Sequence, residues 1–153
     1  MAETTNPTPM DEPTYMKERV DNQMNWYDKK SITNQHTFKR YRTIVLILSI
    51  LIPLMAGFVN QLVWLKYVIG AAGAMVAILE GLITQNKYQE NWIQYRITAE
   101  ALKREKYLYQ TQVGTYSQSA DAFKEFVLQV EKITSGENAG WSQYIKSKQK
   151  KEN

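Results

Sequence analysis

The sequence predicts an all-α membrane protein: a two-span transmembrane helical hairpin extended into a long cytoplasmic antiparallel helical stalk, with an amphipathic C-terminal helix. Three observations predict it. From Thr43 to Leu65 there is no charged residue, and after the single Lys66 the apolar run resumes to Leu79. A helix needs about 20 predominantly apolar residues to cross a hydrocarbon core, and Ile44–Phe58 reads IVLILSILIPLMAGF. On either side of this block, apolar and aromatic residues recur at three- and four-residue steps, the pattern of helices that share a seam.

Taken in order, residues 1–13 (MAETTNPTPMDEP) carry three prolines, small polar residues and acids, too little to bury a core, and are predicted to be disordered. Residues 14–141 are predicted to form one domain. Its first cytoplasmic helix, 14–42, shows Val20, Met24, Tyr27, Ser31, Asn34, Phe38 and Tyr41 at helical steps and runs straight into the first span, 43–59. The second span covers 62–84 and continues as a cytoplasmic helix over 85–116, with Tyr88, Trp92, Tyr95, Ala99, Leu102, Lys106, Tyr109 and Val113 on its seam. The two cytoplasmic parts match in length, about 28–30 residues or ~42–45 Å, as an antiparallel stalk requires. Gly114, Tyr116 and Ser117 break the pattern. An amphipathic helix at 119–134 starts at Ser119, with Asp121 in its first turn, and a short segment at 137–146 precedes a basic tail at 147–153.

Charge sets the orientation. Lys29, Lys30, Lys39, Arg40 and Arg42 precede the first span, and Lys87, Arg96, Lys103, Arg104 and Lys106 follow the second, whereas the intervening turn offers Lys66 alone. Basic flanks are retained inside, so the chain is expected in the inner (plasma) membrane with both termini cytoplasmic. The mean hydropathy of −0.46 averages this apolar third with charged flanks. The competing reading, a buried hairpin in a soluble core, fits the run lengths less well. The run begins far from the N-terminus and lacks a small-residue cleavage site, so no signal peptide is expected.

In 153 residues there is no cysteine and one histidine, His36. No thiolate zinc site, disulfide or nucleophile–base constellation can be assembled from these. No catalytic residue, metal or cofactor is expected, no glycine-rich phosphate loop occurs, and nucleic acid is not an expected partner. The expected partners read from the residues are the lipid bilayer and further copies of the chain.

Glu80 is the sharpest single candidate, a carboxylate about one turn inside the second span. Intramembrane carboxylates face partners or a water path. A hairpin pivoting at Asn60–Gln61 sets Glu80 level with Tyr41 and Arg42, so an ion pair with Arg42 competes with a pore- or proton-linked role. Ser49, Asn60, Gln61 and Glu80 are the polar groups available to line a path between hairpins. Gly70, Ala74, Ala77 and Gly81 form a small-residue stripe that lets helices approach closely, either within the hairpin or between subunits. In the stalk, Trp26 and Tyr27 are expected level with Trp92 and Tyr95, with Glu100–Arg104 as an i,i+4 pair. Arg96, Lys103 and Arg104 serve that stalk or bind an anionic partner.

WYDKKS (Trp26–Ser31), the spans, NWIQYRITAEALKREKYLY (Asn91–Tyr109), GTY (Gly114–Tyr116) and FVLQVEKITSGENAGW (Phe126–Trp141) resemble the SLATT superfamily, in its branch of small bacterial proteins known only as a domain of unknown function. The resemblance runs from about Tyr15 to Trp141, and its W-x-x-Y-R-x-x-x-E-x-L-x-x-E core is the specific part. It implies a two-span membrane protein acting as an oligomeric pore-forming or membrane-disrupting effector of a bacterial defence or conflict system, alongside nucleotide-signalling or sensor proteins. The alternative is a non-conducting membrane scaffold that recruits partners through its stalk.

Overall fold

The computed structural model describes residues 10–136, and every regular element among them is helical. The tail expected over 1–13 is described only from Met10, and the segment at 137–146 and the basic tail at 147–153 lie outside the described residues. The chain divides into two compact units: Lys29–Tyr95, and the residues up to Asp28 together with those from Arg96 onward.

Helix opens at Glu12–Tyr15 (α1), slightly ahead of the expected start. Pro13 lies in its first turn, where an N–H has no partner to lose and the ring presets φ, so this proline begins a helix. Met16–Asp21 winds as π-helix and leads into Asn22–Ala56 (α2), 35 residues long. α2 stops at Ala56 rather than at the expected 59. Pro53 has already removed a ladder donor, and Gly57 is a poor helix former. About 14 helical residues thus lie between Arg42 and the helix end, roughly 21 Å against the ~30 Å of a hydrocarbon core. Tight turns follow, with Phe58 N donating to Met55 O at 3.0 Å and Leu65 N to Leu62 O at 2.9 Å.

The helical run that starts at Leu65 is long and apolar enough to cross a membrane, with an 18-residue window of mean hydropathy 1.8 that is only 6% buried. A core helix of a soluble protein would be mostly covered. Leu65–Asn86 (α3) carries this apolar stretch. The expected unbroken exit is interrupted at Lys87, which takes left-handed φ 49°, ψ 40° before Tyr88–Gln110 (α4). A side chain costs about 1–2 kcal/mol in that region, and nothing in the local composition signals the break. Asn91 spans it: its N–H donates to Lys87 O at 2.9 Å, and its Nδ2 to Asn86 O at 3.0 Å.

Within Lys29–Tyr95, Tyr41, Val45, Leu48, Ile52 and Met55 are the shielded side of α2, and Ile69, Ala72, Gly73, Val76, Leu79 and Ile83 that of α3. Both sets repeat at three and four residues, one stripe per helix. Leu46, Ile50, Leu54, Met75 and Ile78 are 52–63% exposed. Aliphatic surface on that scale is characteristic of a membrane or protein interface.

In the other unit, α4 ends in positive-φ positions at Gln112 (54°) and Gly114 (70°), and Gly114–Ser117 forms one 3-10 turn. Residues 122–136 are helical (α5). Its cap is Asp121, whose Oδ1 accepts from Lys124 N at 3.0 Å, so the start falls two residues past Ser119. Phe126, Leu102, Val20 and Val130 are fully buried. Tyr109 stacks on Phe126 (centroids 4.5 Å, 20°), while Tyr15 meets Phe123 edge-on at 5.8 Å.

Candidate functional site

The apolar unit places its few polar groups as follows. Arg42 Nη1 lies 2.6 Å from Glu80 Oε1, with side chains 61% and 40% exposed. The register expected for a hairpin brings these two residues together, and the carboxylate is neutralised inside the chain. Tyr41 meets Tyr88 edge-on at 5.9 Å, and the buried Ser31 donates from Oγ to Trp92 O at 3.0 Å. These contacts run in antiparallel order. Trp92 Nε1 is buried without a hydrogen-bond acceptor.

Ser49, Asn60 and Gln61 are exposed and are not gathered around Glu80. From Leu65 to Glu80 the helix rises roughly 22 Å at ~1.5 Å per residue, so the turn amides and the carboxylate stand at opposite ends of α3. Within one copy, the turn amides and Glu80 are therefore not brought together.

Gly70, Ala74, Ala77 and Gly81 are all exposed. A Cβ added to Gly70 or to Gly81 would meet nothing within 4 Å. The stripe points away from the shielded side of its own helix.

In the second unit, Trp26 and Tyr27 meet edge-on at 5.0 Å, Tyr27 being buried and Trp26 46% exposed. Arg96 bridges Asp28 at 2.9 Å and Glu100 at 2.7 Å. Glu100 thus pairs with Arg96, one turn before it, where the sequence suggests Arg104. Lys106 Nζ lies 2.6 Å from Asp21 Oδ1. Asp21–Lys106 and Asp28–Arg96 again follow antiparallel order. Lys103, Arg104 and Tyr107 line a shallow groove with Glu100, Leu108 and Thr111. Among the described residues, no three His, Cys, Asp or Glu side chains are grouped to hold a metal ion.

A cluster that sequence patterning misses lies around Tyr15. Arg19 makes a two-pronged contact with Glu131, Nε to Oε1 at 2.9 Å and Nη2 to Oε2 at 2.7 Å, and the Tyr15 hydroxyl donates to Oε1 at 3.1 Å. The Arg19 bonds hold the Glu131 carboxyl below its ordinary range and raise the Arg19 guanidinium. Burial first, and Glu131 second, pushes the Tyr15 phenol up to about 12. Tyr109, buried and bonded to Glu12, is also pushed up to about 12. Tyr116 is raised by burial and by its bond to Glu105. The available signal was the count of ten tyrosines, but Glu131 stands more than a hundred positions from Tyr15 and Arg19, which leaves no local spacing to read.

No curated protein and no solved structure matches the chain. A family model does, over residues 22–124, about two thirds of the sequence and every helix from α2 through α4. That model is described as a protein of unknown function, DUF4231, and the chain belongs to this family.

Proposed function

We propose that the protein is a SLATT-type integral membrane effector with spans at 43–59 and 62–84 and both termini cytoplasmic, whose copies assemble through the Gly70–Ala74–Ala77–Gly81 face and permeabilise the inner membrane. The observation that carries this reading is the exposure of that whole face on a helix long and apolar enough to cross a membrane. Small residues turned outward on a span give another helix a surface for close approach without a hydrophobic drive. The exposed Phe58, Leu62, Val63 and Trp64 prolong the apolar surface of the short α2 end through the turn, which supports the first span. A lone hairpin encloses no interior, so a path requires several copies. The resemblance to SLATT effectors supplies the class of activity, with a separate nucleotide-signalling or sensor protein as the trigger.

The test is reconstitution of the full chain in liposomes, with dye release and cross-linked oligomer size as readouts. Wild-type protein should form oligomers and release dye. Ala74→Leu/Ala77→Leu should reduce both together. A chain that stays monomeric and releases no dye at any protein-to-lipid ratio would replace the effector with the second reading, a non-conducting scaffold that recruits partners through its stalk. One observation favours that second reading: Glu80, the carboxylate best placed to serve ions, is already paired with Arg42. Reporter fusions at each end test the orientation, and an external signal at either terminus would refute two spans.

A further inference from the structure

Lys39 and Arg40 are both exposed on α2, one turn before Thr43, where the charge-free run begins. Ile47, Ile50 and Leu54 follow Arg40 at helical steps on the same side and are 51%, 55% and 59% exposed. Two cations thus sit roughly 10 Å below an aliphatic stripe, at ~1.5 Å per residue. No Asp or Glu occurs from Lys29 through Leu79. The carboxylate that does reach this end of α2, Glu80, is held by Arg42 at 2.6 Å. His36, one turn below Arg40 and also exposed, adds a further nitrogen donor and no acid.

A ligand suited to this face carries an anionic group for Lys39 and Arg40 and a long apolar portion for Ile47, Ile50 and Leu54. Basic residues just inside a span attract acidic lipid within a Debye length of the surface. We propose that Lys39 and Arg40 form a headgroup site for anionic phospholipid whose acyl chain lies along the Ile47–Ile50–Leu54 stripe. This rests on the membrane reading proposed above. Arg42, the basic residue nearest the apolar run, is engaged with Glu80 and is not counted in the site.

The full chain, reconstituted in phosphatidylcholine vesicles with and without phosphatidylglycerol, tests this through the lipid that co-purifies after detergent extraction. Wild type should retain phosphatidylglycerol preferentially. Lys39→Gln/Arg40→Gln should lower that preference by roughly tenfold to thirtyfold, while still entering both kinds of vesicle. Lys103→Gln/Arg104→Gln removes the same charge elsewhere and should leave the preference intact. An equal loss in that control would make the effect one of net charge and overturn the site. Full competition by soluble glycerol phosphate would overturn the lipid assignment. Vesicle entry without any preference in wild type would refute this inference alone, whereas failure of wild type to enter either vesicle would refute the membrane reading beneath it.

Discussion

Arg42 on α2 and Glu80 on α3 are joined at 2.6 Å, the closest approach between charged groups at the edge of the apolar block. Both side chains keep much of their surface, 61% and 40%, and in water such a pair contributes only about 0–1 kcal/mol. In a bilayer, lipid replaces part of that water and strengthens the attraction. A double-mutant cycle with Arg42→Gln and Glu80→Gln should therefore give a coupling of about 1–2 kcal/mol in detergent micelles or nanodiscs. Additive single effects would show that the pair is fully screened.

The outward glycines make the assembly testable without damaging the fold. Gly70→Ala and Gly81→Ala add a methyl group to open space and should raise helix stability by roughly 0.5–1 kcal/mol each. Cross-linked oligomer yield should fall in the same variants. Oligomers unchanged beside a raised melting temperature would show that the stripe makes no contact between copies.

Phe126 is the stem of the second core, with no exposed surface and Tyr109 stacked on it at 4.5 Å. Phe126→Ala should cost about 3–5 kcal/mol, read as an earlier thermal transition and faster proteolysis around α5. Leu128→Ala, at a position 57% exposed, should stay within about 0.5 kcal/mol of wild type. Equal effects of the two would mean that α5 is not packed as described.

The tyrosine–carboxylate bonds predict losses of stability at both ends of the pH scale. Glu131 is held below its ordinary 4.5, so it stabilises the fold above that value and the contribution is lost as pH falls through the lowered one. Tyr15 and Tyr109 are raised from 10.0 to about 12. Their contribution is complete below pH 10.0 and is lost as pH rises toward about 12. Glu131→Gln should flatten the acid limb, and near-ultraviolet tyrosinate absorbance should report the alkaline limb together with unfolding. Tyrosines that all ionise near 10.0 in the folded protein would contradict the burial.

Helical class, the apolar block and the register that sets Glu80 opposite Arg42 were legible in the sequence, because each depends on spacing along the chain. Three-and-four periodicity and the run of uncharged residues are local properties, and a tight turn at Asn60–Gln61 converts them into facing positions. Element ends were less legible. Pro13 suggested the end of a tail yet opens α1, since a proline in a first turn loses no hydrogen bond. The break at Lys87 carries no glycine or proline, and depends on Asn91 reaching back to Asn86.

The periodic, apolar character of these helices follows from the order of residues alone. Which side of each helix is covered depends on packing between helices. Gly70, Ala74, Ala77 and Gly81 share a side by spacing, but only packing turns that side outward, because α3 shields the Ile69–Gly73–Val76 side instead. Tertiary structure also made the Tyr15–Arg19–Glu131 cluster. Its members are brought together by the return of α5 to the start of the chain, and contacts of that range follow from how hydrophobic surfaces such as Phe126 and Val20 are buried, not from any spacing between the residues that meet.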